Sequence, residues 1–91
     1  MQQLTKAESF TETKDGITFD ISTSPTNGGV IVNIKVQENS KQKFDSLRNK
    51  NDLTYLKNLA GQKAFALNSN AHLVTPTTED YYEWQGQFDF T

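Results

Sequence analysis

The sequence predicts a small α+β domain: a mostly antiparallel sheet or small open barrel, in β-β-β-α-β-β order, packed with a broken helix at about residues 40–60. Three observations carry that prediction. Apolar residues alternate with polar ones in the segments 17–22, 30–37 and 82–90, the period-two signature of strands with one dry face. Between the second and third of these, residues 40–60 space their apolar side chains as helices do. The chain has 91 residues, enough to bury one core and too few for two, so residues 1–91 form a single domain.

In chain order, Thr5 to Lys14 is polar apart from Phe10 and reads as an edge strand or arm. Asp15-Gly16 tolerates the positive φ angles of a tight hairpin. Ile17, Phe19 and Ile21 then share one face, and a two-residue turn sets Lys14 opposite Ile17 and Phe10 opposite Ile21. The same register sets Glu12 opposite Phe19, an awkward pair for a dry face. Residues 24–29, Ser-Pro-Thr-Asn-Gly-Gly, read as a loop. Val30, Val32, Ile34 and Val36 line one face of the next strand, and Ile31 on the other face suggests partial cover there.

Phe44 and Leu47 make one helical pair, and Leu53, Leu56 and Ala60 a second stripe that does not align with it. A break is therefore expected at Asn49-Lys50-Asn51, with Ser40 capping the first piece, Asn51 or Asp52 the second, and Gly61 stopping it. Lys63 to Leu67 reads as a strand, Ala71 to Thr75 as a short strand, and Pro76 to Asp80 as a loop. Tyr82, Trp84, Phe88 and Phe90 fall on one face of the last strand, with Gly86 among them. The predicted order is similar to that of the oligonucleotide/oligosaccharide-binding barrel, where a helix lies between the third and fourth strands. That likeness implies single-stranded nucleic-acid binding on the sheet.

Composition narrows the function. No apolar run approaches the roughly 20 residues of a membrane span, and the start of the chain lacks a secretory hydrophobic region. Cysteine is absent, which excludes thiol chemistry and fits a reducing compartment, so a cytoplasmic location is expected. His72 is the single histidine and stands far from a full ligand set, so no metal and no cofactor is expected. Glu79, Asp80 and Glu83 lack the spacing of a calcium loop. Gly28-Gly29 does not open a helix, as a phosphate cradle would. No catalytic motif is present, so an enzyme is not expected.

Net charge is −2 but uneven, with a basic segment at 41–63 and an acidic one at 64–91. The two can neutralise each other, or the first can form a binding face. Contacts with a partner are expected from Lys41, Lys43, Arg48, Lys50, Tyr55, Lys57, Lys63 and Tyr81. The leading expectation is a non-enzymatic protein that adapts or inhibits a protein partner. Its Asn- and Thr-rich composition is similar to that of small proteins carried by phages and mobile elements. The alternative is single-stranded nucleic-acid binding, with the lysines on phosphates and Tyr55 and Tyr81 stacking on bases. A third is an assembly subunit, a homo-oligomer pairing through the edge strand near residues 5–14.

Overall fold

The Asp15-Gly16 dipeptide sets the first hairpin. A computed structural model describes residues 6–47 and 54–91. In it Asp15 has φ 56° and Gly16 φ 79°, both left-handed, so the turn is type I′ and its twist matches that of the flanking strands. It joins β1 (Glu8–Lys14) to β2 (Ile17–Thr26) in the expected register, with Lys14 opposite Ile17 and Phe10 opposite Ile21. A second tight turn at Asn27-Gly28, with Gly28 at φ 93°, leads into β3 (Gly29–Val36).

The expected loop at 24–29 is therefore mostly strand. Pro25 lies within β2 opposite Val30. The β1 ladder ends at Glu8–Thr23, so β2 is an edge where Pro25 sits, and the missing N–H leaves no bond unmade.

After β3 a single 3₁₀ turn (Glu38–Ser40) leads into α1 (Lys41–Leu47), and α2 spans Tyr55–Leu67. The expected break at Asn49-Lys50-Asn51, the caps Asn51 and Asp52, and the core position Leu53 lie outside the described residues. Ser40 does not serve as a side-chain cap: its Oγ accepts the Thr18 backbone N–H at 3.0 Å and ties the turn to β2. Two further expectations are corrected. Gly61 sits inside α2 rather than at its end, and Lys63 to Leu67 is the last part of that helix rather than a strand. Large residues alternate over 63–67, but the contacts that decide the matter are those of Ala60 and Ala64. Both are fully buried, and their small side chains let the helix lie close to the sheet.

Two antiparallel strands close the chain, β4 (His72–Glu79) and β5 (Glu83–Asp89). The loop expected at Pro76 to Asp80 is taken up by β4 as far as Glu79. All pairings are antiparallel in the order β1-β2-β3-β5-β4, an open sheet with β1 and β4 at its edges, so the barrel alternative is not adopted.

One face of the sheet is dry. Ile17, Phe19 and Ile21 of β2, the four alternate apolar residues of β3, and Trp84 and Phe88 of β5 are buried with Phe44 of α1 and Leu56, Leu59, Ala60 and Ala64 of α2. The opposite face carries Asp20, Ser22, Asn33, Lys35, Gln85 and Gln87, with Ile31 half-buried among them. Asn33 there donates to Glu83 at 3.0 Å and to Gln85 at 3.1 Å.

Gly86 is required by a close approach. A Cβ at this position would overlap the indole of Trp84, which is fully buried on the same face. Gly86→Ala is therefore expected to destabilise the fold by about 1–3 kcal/mol, as overpacking does in tight cores. Urea unfolding of the two proteins measures the difference; an unchanged midpoint would mean that the indole moves aside freely.

Candidate interaction surfaces

The basic segment does not form one uniform face. Lys41 opens α1, pairs with Glu38 at 2.9 Å and holds its ammonium 4.7 Å from the centre of the Tyr82 ring. The same lysine lowers the Glu38 carboxyl below its ordinary range, first by hydrogen bonding and then by charge. Lys43 is exposed on α1 and reaches over the first hairpin: a Cβ at Gly16 would lie 2.6 Å from its Nζ. Lys57 is exposed on α2. Lys63, also on α2, is half-buried and ion-paired with Glu12 of β1. That pair explains how Glu12 is tolerated opposite Phe19. Arg48 and Lys50 lie outside the described residues. The two ion pairs seen among the described residues thus join the basic segment to acids of the first forty residues, not to the acidic C-terminal strand.

Tyr55 and Tyr81 both turn inward. Phe44 is the hub of their cluster, with ring centres 5.8 Å from Tyr55, 5.0 Å from Tyr81 and 6.1 Å from Tyr82. Phe19 adds a contact of 6.2 Å to Tyr55, and Tyr81 lies 4.8 Å from Tyr82. Both tyrosines are half-buried. Their rings fasten α1, α2 and the β4–β5 turn to one another, at separations typical of aromatic pairs. The phenol of Tyr82 donates to Asp45, 2.7 Å and 2.9 Å from the two carboxylate oxygens. This hydrogen bond, aided by burial and the carboxylate charge, pushes the Tyr82 pKa up to about 12.

A surface that sequence reasoning missed lies on the outward side of α2. Leu56, Leu59, Ala60 and Ala64 point to the sheet, so the 100° helical step turns Asn58, Gly61, Gln62 and Phe65 to the opposite side. Phe65 is 51% exposed there, the most exposed of the large apolar side chains described. Asn58, Gly61, Gln62, Phe65 and Ala66 line a shallow surface concavity. Among the described residues, a Cβ built on Gly61 would meet nothing within 4 Å. The available signal was helical phase: once residues 55–67 are continued as one helix, Phe65 falls opposite the buried stripe.

His72 begins β4, where its Nδ1 lies 3.2 Å from the Asn70 carbonyl oxygen. No helix among the described residues is long and apolar enough to cross a membrane. Comparison with protein-family models, with curated proteins and with solved structures finds no match to this chain.

The Tyr82–Asp45 bond has a pH signature. A phenol whose folded pKa of about 12 exceeds its ordinary value of 10.0 stabilises the fold fully below pH 10.0, and that contribution is lost as pH rises towards 12. Wild type is therefore expected to lose more stability over that interval than Tyr82→Phe, as read by urea unfolding at matched pH values. Parallel loss in the two proteins would mean that other groups set the alkaline limit.

Proposed function

We propose that this domain is a non-enzymatic binding module that adapts or inhibits a protein partner, and that the outward face of α2 receives that partner. The observation that carries the proposal is the neighbourhood of Gly61 and Phe65. A glycine inside a helix costs about 0.5–1 kcal/mol relative to alanine. Such a cost is ordinarily offset by a close approach within the fold, and no described residue approaches a Cβ at Gly61 within 4 Å. Next to it a phenylalanine is left half in water. Two departures from local preference on one patch, without internal compensation, are what a functional surface produces.

The chemistry of the patch fits a protein partner. Aromatic side chains supply most of the energy at interface centres, and polar neighbours form the rim. Phe65 is the anchor, Asn58 and Gln62 offer hydrogen bonds around it, and Gly61 opens one flank to an incoming side chain. Exposed Lys57 adds charge that can steer an acidic partner. The single-stranded nucleic-acid reading draws less support from the same geometry. Tyr55 and Tyr81 direct their rings to Phe44, and Lys41 and Lys63 are engaged by Glu38 and Glu12.

The test is affinity capture at mild salt with wild type, Phe65→Ala and Gly61→Ala, read by quantitative mass spectrometry. Phe65→Ala is expected to keep the wild-type melting temperature and to deplete the captured protein about tenfold, the effect of losing an interface anchor. Gly61→Ala is expected to raise stability by roughly 0.5–1 kcal/mol while weakening capture. Equal capture by all three would sink the proposal. Salt-sensitive binding of labelled oligothymidine, measured by fluorescence anisotropy, would favour the nucleic-acid reading instead.

A further inference from the structure

The two edges of the sheet are built differently. At one edge, β4 carries Pro76 and two shifts of register against β5, between Leu73 and Thr75 and between Pro76 and Thr78. Proline and bulges of this kind blunt an edge against further pairing. At the other edge, β1 runs seven residues against β2 without a shift and without proline. All of its residues except Glu12 are exposed.

The backbone groups that β1 turns outward can be identified. The Thr18 N–H bonds to Ser40 Oγ, and the Thr18 carbonyl accepts from the Gln37 N–H. Both groups of Thr18 thus point away from β1, and Thr13–Thr18 is a non-hydrogen-bonded pair. Antiparallel ladders alternate, so the outward N–H and C=O groups of β1 belong to Ser9, Thr11 and Thr13.

We propose that β1 pairs with β1 of a second copy of this chain, antiparallel about a two-fold axis through Thr11. The charges select both the partner and the register. In this pairing Glu8 lies opposite Lys14 of the second copy, and Lys14 opposite its Glu8. Moving the axis to Phe10 would set Glu8 against Glu12 and Lys6 against Lys14, and moving it to Glu12 would set the two Glu12 residues together. An axis between residues is excluded, because it would turn core-facing side chains to opposite sides.

The backbone agrees with the charges. Thr11 exchanges hydrogen bonds with its own equivalent, and Ser9 with Thr13 of the second copy, so every outward group is used. The Glu8–Lys14 pairs then fall at non-hydrogen-bonded positions, where side chains stand closest. Phe10, 42% exposed at this edge, comes diagonally across the axis from its equivalent, within aromatic reach. Glu12 faces Phe10 of the second copy with its carboxylate held back by Lys63. The result is one continuous sheet with both helical layers on the same side.

Pairing along a single strand buries less than the roughly 1,200 Å² of a stable interface, so the dimer is weak and concentration-dependent. Sedimentation equilibrium from about 10 µM to about 500 µM covers the affinities expected of such interfaces. Wild type should pass from monomer to dimer across this range. Thr11→Pro removes an outward N–H at the axis, leaves the bonds to β2 in place, and should stay monomeric. Lys14→Glu should weaken dimerisation roughly tenfold by opposing like charges twice, and the swap Glu8→Lys with Lys14→Glu should restore it. Phe65→Ala should leave the dimer unchanged, which separates this edge from the α2 face. A wild-type monomer throughout, a persistent dimer in Thr11→Pro, or a swap that fails to restore association would each overturn the proposal.

Discussion

A sheet of five strands has two faces, and the helices among the described residues cover one. That asymmetry organises the rest. The covered face must take the core's apolar side chains, and it does so around Trp84, which is wholly buried and occupies the space that a side chain at Gly86 would need. The central strands β2, β3 and β5 supply the aliphatic floor, and α2 comes down on it through alanines small enough for close approach. The other face is left to water, and its amides and carboxylates bond to one another across strands instead of packing.

Because a single helical layer suffices for the core, one side of α2 remains outside. An amphipathic helix usually fills that side with charge. Here it holds a glycine and a half-exposed phenylalanine, both unfavourable in water-facing helix. The same logic distinguishes the two edges. Strand β4 is protected by proline and bulges, whereas β1 keeps a regular ladder with its polar backbone groups directed outward. The two proposed contacts occupy different elements, one read through an aromatic anchor and the other through backbone pairing.

The charges follow from proximity in space more than from position in the chain. Lys63 crosses from α2 to Glu12, and Lys41 stays with Glu38 while covering the Tyr82 ring. Asp45 is engaged by the Tyr82 phenol. Of the residues that look like a basic aromatic patch in the sequence, Tyr55 and Tyr81 join α1, α2 and the β4–β5 turn around Phe44, and Lys41 and Lys63 are held by Glu38 and Glu12.

Legible in the sequence were the fold class, the first hairpin with its register, the dry faces of β2, β3 and β5, and helix between β3 and β4, whereas the break expected at Asn49-Lys50-Asn51 falls outside the described residues. Each rests on a local rule: period-two alternation, a dipeptide that accepts positive φ, or apolar residues at helical spacing. Tertiary structure alone decided that residues 63–67 continue α2, because Ala60 and Ala64 reveal their inward direction only against the sheet. It also decided that Pro25 and Pro76 lie in strands, since a proline is tolerated only where no neighbouring strand needs its N–H, and neighbours are not local information. The exposure of Phe65, the inward turn of Tyr55 and Tyr81, and the position of β1 at the end of the strand order belong to the same class. Each depends on which elements pack together, and that is settled by burying one core across the whole chain.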